Sequence, residues 1–297
     1  MKIKQLFFIL SIVSGTVLLF ACKKDSDPTN SPEDTDVVLL TKVYSSMLDT
    51  SGPALNSDSI YYNTKNQIVK VVHTPGSEVY NFSYNDDGDL LTVNILSSNE
   101  YGGQTYKLYY NNKKTLDSLI IIELGTPVTI RSTMNYDMAG GLTNVLTDYL
   151  MQGTGDRWFQ TTYFRSSKLD SIHSDFIYQN KRINSHFSAG TSTVNKPVII
   201  DKAYLFMMAI RMDKYLFISD GNNIYLQQFL NPKDNLMSNG ELAIYDLSDS
   251  SSIHTFNEVE NIFTFNSDST LRTYQYAEIV NGKSYGRSAY KFDYTIR

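Results

Sequence analysis

Cysteine is almost missing from this chain. Cys22 is the only one in 297 residues, so no internal disulfide can form and no multi-cysteine metal site can be assembled. The four histidines, His73, His173, His186 and His254, show no His-x-His or His-Glu-x-x-His grouping, which leaves zinc without support from sequence. No Gly-x-Ser-x-Gly elbow, no Ser-x-x-Lys pairing with its partner motifs and no phosphate loop is found. Positive charge is scarce: the formal net charge is −5, and no run of basic residues is longer than two. Nucleic acid is therefore not expected as a partner. Outside the N-terminal segment no convincing amphipathic helix is seen, and no cofactor is expected.

What is present begins at the N-terminus. Lys2 and Lys4 precede an almost wholly apolar run from Leu6 to Phe20, long enough for a signal peptide and too short for a membrane span. The run ends in "LFAC", Leu19 to Cys22, which resembles a bacterial lipobox. That resemblance implies a signal peptide over 1–21, cleavage before Cys22, and acylation of Cys22 at its sulfur and its new amine. Each buried methylene contributes about 0.8 kcal/mol, so two or three chains anchor a protein firmly where one does not. Residues 23–36, "KKDSDPTNSPEDTD", contain no large apolar side chain and read as a solvated tether reaching about 48 Å when extended. Lys23 stands where an aspartate would signal retention in the inner membrane, so the expected location is the outer membrane, on its periplasmic face or at the cell surface. The basic-then-acidic "CKKDSD" also resembles an export tag for surface lipoproteins.

Residues 37–297 remain for the folded part, read as one domain; the place for a seam, if the chain divides, is Gly190 to Lys196. With 22 tyrosines and 15 phenylalanines, this part is rich in residues that suit pleated surfaces. In "YNFSYNDDGDLLTVNI", Tyr80, Phe82 and Tyr84 alternate with polar residues, and Leu91, Val93 and Ile95 do so again after the break. A type I turn over Asn85 to Gly88, with Gly88 left-handed, would pair Asn85 with Asp89 and set Tyr84 opposite Leu90. The competing account of "NDDGD" is a calcium loop, but the ligand spacing and the distal Glu of such a loop are missing.

The same frame recurs. It is aromatic, turn former, two free positions, turn residue, one free position, aliphatic, two free positions, apolar. It fits from Tyr62 to Val71, Tyr84 to Val93, Tyr110 to Leu119 and Tyr136 to Val145, and more loosely from Tyr163 to Ile172 and Phe265 to Tyr274. The first five starts are 22 to 27 residues apart, a period that signals one hairpin per unit. The expected fold is all-β: an antiparallel meander of hairpin repeats forming a large curled sheet or an open barrel-like domain. By strict alternation the pairs Tyr62/Ile68, Tyr84/Leu90, Tyr110/Leu116, Tyr136/Leu142 and Tyr163/Leu169 fall on one face. Val71, Val93, Leu119, Val145 and Ile172 then fall on the other, which calls for cover on both sides.

The frame resembles the signature of YD repeats, found in rearrangement-hotspot (Rhs-like) and teneurin shells and, in degenerate form, in many bacterial surface lipoproteins. The resemblance covers Asp58 to about Ile172 and again Phe263 to Tyr274. The usual Arg after the glycine is replaced by Gln67, Asp89, Thr115, Gly141, Lys168 and Thr270, so the lipoproteins are the better match. Between 174 and 255 the frame is lost. "KAYLFMMAIRM", Lys202 to Met212, has a length that fits helix or strand, with strand preferred, and "YLFISDGNNIYLQQF" reads as a hairpin.

Two functional classes follow. One is a lipid-anchored binding or scaffolding module that meets a glycan or a protein, with Trp158 as a candidate for ligand stacking. The other is an extracellular polymer-degrading hydrolase, using carboxylates such as Glu78, Glu100 and Glu123 or the group Asp170, His173 and Asp175. A lipocalin-like carrier of an apolar ligand is a third reading. No catalytic, cofactor-binding or metal-binding residue is assigned; Cys22 is the lipid-attachment site.

Overall fold

Each tyrosine-containing frame folds as the tight turn its residues favour. In the computed structural model the Asn85 amide donates to the Asp89 carbonyl and the Gly88 amide to the Asn85 carbonyl, each at 3.0 Å, and the Asp89 amide donates to Asn85 Oδ1 at 2.8 Å. Gly88 takes the left-handed conformation with φ 87°. The arrangement repeats at Asn63, Asn111, Asp137 and Asn266. At Asn63, Asn85, Asn111 and Asp137 the side chain after the aromatic accepts from the turn's own backbone, which settles what the "NDDGD" carboxamide does; in the turn at Asn266 the Thr270 amide donates to Asp268 Oδ1 instead. The left-handed position is glycine in two of these turns but Asn66, Lys114 and Ser269 in the others, at φ 58°, 60° and 69°. A long side chain there costs about 1–2 kcal/mol, against about 0.5–1 kcal/mol of extra chain entropy for glycine. Lys114→Gly is therefore expected to stabilise the protein by about 0.5 kcal/mol and Gly88→Ala to destabilise it by about 1 kcal/mol, read as opposite shifts of the urea midpoint.

The described residues are 37–46, 53–76, 78–96, 103–125, 128–151, 154–165, 169–178, 181–189, 193–194, 200–212, 229–230, 236–237, 239–246, 255–280 and 283–297. The strands are β1 (Val38–Ser46), β2 (Asn56–Tyr62), β3 (Ile68–Thr74), β4 (Val79–Tyr84), β5 (Leu90–Leu96), β6 (Gln104–Tyr110), β7 (Leu116–Glu123), β8 (Val128–Tyr136) and β9 (Leu142–Met151). They continue with β10 (Thr154–Arg165), β11 (Leu169–Tyr178), β12 (Lys181–Ala189), β13 (Thr193–Val194), β14 (Leu236–Met237), β15 (Asn239–Asp246), β16 (Thr255–Phe265), β17 (Leu271–Val280) and β18 (Lys283–Ile296). The helix α1 spans Lys202–Met212, and Phe229 and Leu230 are also helical. Strands β1 to β12 and β15 to β18 form one antiparallel meander, and it closes, because β1 pairs with both β2 and β18. Val38 to Ile296 is one compact unit. The short pair β13–β14 stands apart from the barrel ladder, and the segment expected to form the hairpin around Asp220 lies outside the described residues.

The expected antiparallel meander is present, and it goes further than a curled sheet. The reason is a bulge that the alternation rule did not include. Ser83 faces Thr92 and Tyr84 faces Leu90, so Leu91 has no opposite number. Val69, Asp117, Thr143 and Arg272 are extra residues in the same way. One inserted residue reverses the in-and-out alternation, so positions three apart share a face. Ile68 and Val71, Leu90 and Val93, Leu116 and Leu119, Leu142 and Val145 are accordingly buried together in one core. The two apolar rows expected on opposite faces are one inward row. A sheet with a single apolar face can bury it by rolling up, and the bulges add the curvature that closure needs.

The Tyr163/Leu169 pair is a correction. Tyr163 faces Ile172 and Arg165 faces Leu169. Phe164, where the other frames carry Asn or Asp, has no side-chain acceptor to hold a turn at that place, and the hairpin extends by two residues. The looser copy at Phe265 keeps Asn266 and keeps the pair with Leu271.

At the closing seam the same frame is assembled from the two ends of the barrel. Leu40 faces Tyr294, Thr41 is the bulge, and Val43 is buried three residues on. Hydroxyls then link each unit to the one before it: Tyr294 donates to Leu271 O at 2.9 Å, Tyr62 to Leu40 O at 2.6 Å, Tyr84 to Ile68 O at 2.7 Å and Tyr136 to Leu116 O at 2.7 Å. These tyrosines form a girdle at the rim where the turns lie. Burial pushes the phenols of Tyr84, Tyr110, Tyr136 and Tyr294 far above their ordinary range, helped for Tyr84 by the nearby Asp201 carboxylate.

Lys202–Met212 is a helix where a strand was expected. Asp201 caps it, accepting from the Ala203 amide at 2.8 Å, and Ala, Leu, Met, Lys and Arg are good helix formers. The barrel ladder passes directly from β12 to β15, which leaves this run no strand partner, and a helix satisfies its own backbone. From Ala203 to Ile210 every residue is 4% exposed or less, so α1 is enclosed on all sides by the core cluster it shares with the strands. Phe206 meets Tyr106 edge-on at 5.9 Å and Phe229 at 4.9 Å.

The outer face carries many polar and charged side chains, with Tyr61, Tyr109 and Ile262 exposed among them. Lys70, Ser83, Lys107, Arg131, Asn135 and Asp148 are exposed, and Arg131 stands opposite Asp148 in the ladder. Cross-strand hydrogen bonds run over this face from Ser83 to Thr92 at 2.6 Å and from Thr105 to Asn94 at 2.8 Å.

Candidate functional site

The densest polar cluster among the described residues fastens α1 to the wall at the rim opposite the tyrosine girdle. Asp58 shares the inward parity of Ile60 on β2 and is 3% exposed. Arg211 ends the helix and meets it with two parallel bonds, Nη1 to Oδ2 at 2.6 Å and Nη2 to Oδ1 at 2.8 Å. The Tyr204 hydroxyl, two helical turns earlier, donates to Oδ2 at 2.6 Å, and His73 Nδ1 lies 2.8 Å from Oδ1. The β3–β4 connection brings in the rest: the His73 amide donates to the Glu78 carbonyl at 2.9 Å. The Tyr80 hydroxyl donates to Glu78 Oε2 at 2.7 Å and receives Arg211 Nε at 3.2 Å. The guanidinium also lies over the Tyr80 ring, 5.0 Å from its centroid.

Burial by itself would raise the Asp58 pKa. The His73 bond, the Arg211 charge with its bonds, and the Tyr204 bond outweigh it and hold the carboxyl below its ordinary value. Burial likewise works against the Arg211 charge, and Asp58 more than restores it. Burial pushes the Tyr80 phenol up to about 12, with Arg211 opposing and Glu78 adding to the rise. Both oxygens of Asp58 are engaged twice, and its charge is spent on the guanidinium. With both oxygens taken up in this way, the geometry fastens the helix to the wall. The signal for the cluster was present in "NSDSIYY": an aspartate at core-facing parity.

The residues singled out from sequence do not converge. Asp175 accepts from Asn184 at 2.8 Å, and His173 stands opposite His186. Glu123 accepts from Gln104 at 3.1 Å, Glu78 belongs to the latch, and Glu100 lies outside the described residues, as do Cys22 and residues 1–36. Trp158 is in register with Asp148 on β10; its side chain is not among those described. The exposed tyrosines named among the described residues, Tyr61 and Tyr109, stand on β2 and β6 with three strands between them, so they form no continuous aromatic platform. The apolar interior that a lipocalin-like carrier would offer a ligand holds α1 instead. Among the described side chains no group of three or more His, Cys, Asp and Glu gathers.

No protein-family model and no curated protein matches the chain. Among solved structures it is similar to a porin-like protein from Bacteroides vulgatus ATCC 8482, with a TM-score of 0.51 and 12% identity over 87% of this chain and 99% of that one. A porin-like protein from Bacteroides uniformis ATCC 8492 gives a TM-score of 0.49 and 13% identity over 87% and 96% of the two chains. At such identity the likeness to the Bacteroides vulgatus protein concerns the fold alone.

Proposed function

We propose that the chain is a lipid-anchored binding or scaffolding module whose barrel stands in water and is plugged by its own helix. The observation that carries this reading is the distribution of polarity. A barrel that spans a membrane presents an apolar band outward, whereas here Lys70, Lys107, Arg131 and Asp148 point out and the apolar residues enclose α1. A charge on a lipid-facing wall costs about 2–4 kcal/mol at mid-membrane. Acylation of Cys22 supplies the attachment that the wall does not. The rim opposite the tyrosine girdle is the one assigned to contacts. Leu55, Leu96 and Leu124, 53%, 52% and 47% exposed, lie near that rim, and aliphatic side chains of this kind suit a protein partner better than a glycan.

The test is fractionation of cells grown with radioactive palmitate. Wild-type protein is expected in the outer membrane and labelled; Cys22→Ser is expected to be unlabelled and released into the soluble fraction. A Cys22→Ser protein that stays in the membrane through high-salt washing would mean that the barrel itself inserts, and the reading fails.

A further inference from the structure

On the outer wall the ladder sets aliphatic side chains side by side, near the rim that holds Asp58 and Arg211. Val72 faces Val79, and Val79 faces Leu96. Their chain neighbours Val71, Tyr80 and Ile95 are buried, so this row across β3, β4 and β5 points outward. Gly103 precedes Gln104, which faces Ile95, and puts bare backbone beside Leu96. Leu124 lies against that backbone: its amide donates to the Gly103 carbonyl at 2.9 Å, and its Cδ1 is 3.2 Å from the place a Cβ on Gly103 would take. Leu96 and Leu124 are the most exposed of the group. Lys70 stands on the same face as Val72, about 7 Å along the strand, and Lys107 stands on β6 opposite Thr92; both are exposed. None of the strands β3, β4, β5 and β6 contains an aspartate or a glutamate.

We infer that this row is the docking surface for a protein partner whose contacting segment carries aliphatic side chains flanked by carboxylates. The inference rests on the reading of the chain as a binding module and names the chemistry of what it binds. Aliphatic side chains offer a partner apolar area to bury, and two lysines with no carboxylate on the strands around them attract acidic groups and repel basic ones. A second copy docked through the same face would set lysine against lysine. A bilayer is a poorer match, because Glu78 and Glu123 stand at the same rim, bonded to Tyr80 and Gln104. Immersing the row would carry those carboxylates toward lipid, which disfavours charge. A protein segment laid across the outer wall leaves them in water.

The test is photo-crosslinking in intact cells that carry the full-length chain, with a benzophenone side chain replacing Leu124 or, as a control, the exposed Thr264 on β16. An adduct with one protein, identified by mass spectrometry, is expected from the first position and not from the second. Leu96→Asp, and separately Lys70→Glu with Lys107→Glu, are each expected to lower its yield by at least about fivefold. Washing in about 0.5 M NaCl before irradiation, where charges are screened within about 4 Å, should lower it as well, and so should replacing the carboxylates of the captured segment by amides. Circular dichroism checks that each variant folds, and Leu96→Ser or Lys70→Gln with Lys107→Gln replaces one that does not. No adduct, an adduct only with phospholipid or with a second copy of the chain, or a yield unmoved by these substitutions overturns the inference. Palmitate labelling of the same cells separates the two readings. Labelled protein without the adduct overturns this inference and leaves the anchor; unlabelled protein that still gives the adduct overturns the anchor alone.

Discussion

Arg211→Met is expected to destabilise the barrel by about 3–5 kcal/mol, because it leaves the Asp58 carboxylate buried without its counter-charge. Asp58 is 3% exposed and would retain only Tyr204 and His73 as partners. The double variant Asp58→Leu/Arg211→Met is expected to recover most of the loss, since replacing a buried ion pair by apolar groups is often neutral. Acid sensitivity follows in sign. The folded-state pKa of Asp58 is held below its ordinary value, so its contribution is complete above about pH 4 and is lost as the pH falls through the folded value. In Arg211→Met the carboxyl loses the guanidinium that helps hold it down, leaving His73 and Tyr204, and the loss begins at higher pH. Urea midpoints at pH 7 and pH 3.5 for the three proteins check this; single and double variants of equal stability would show that the latch carries no charge penalty.

Alkaline pH should unfold the barrel in one step between about pH 10 and pH 12. The pKa of Tyr80 is pushed up to about 12, and those of Tyr84, Tyr110, Tyr136, Tyr294, Tyr204 and Tyr274 are raised by burial first of all. A raised phenol pKa means that the fold favours the neutral form. The stabilisation is therefore complete below pH 10, where unfolded tyrosine titrates, and drains away as the pH climbs toward the folded values. Each unit between pH 10 and the folded value forfeits about 1.4 kcal/mol per fully buried tyrosine, and less for those of the girdle, which keep partial contact with solvent. Several such groups together reach the roughly 5–15 kcal/mol that holds a domain. Phenolate absorbance at 295 nm is expected to rise together with the loss of near-ultraviolet circular dichroism. A gradual rise with the dichroism intact would refute the coupling.

The repeat was legible because its parts are local. An Asn or Asp after an aromatic, with a left-handed position three residues later, dictates a turn from neighbouring atoms alone, and the register at Tyr62, Tyr84, Tyr110, Tyr136 and Phe265 followed from it. Where that residue was missing, at Phe164, the register moved. The bulges were harder to see, because Leu91 or Asp117 carries no mark that separates an extra residue from an alternating one. That single omission sent Val71, Val93, Leu119 and Val145 to the wrong face and hid the closure.

Local chemistry therefore determined the hairpins, their order and the turn residues, since those depend on contacts within a few positions. Closure, the enclosed helix and the Asp58–Arg211 latch were decided only by the tertiary structure. Each joins residues far apart in the chain, and their partners are chosen by which faces the bulges turn inward and by what remains to fill the space.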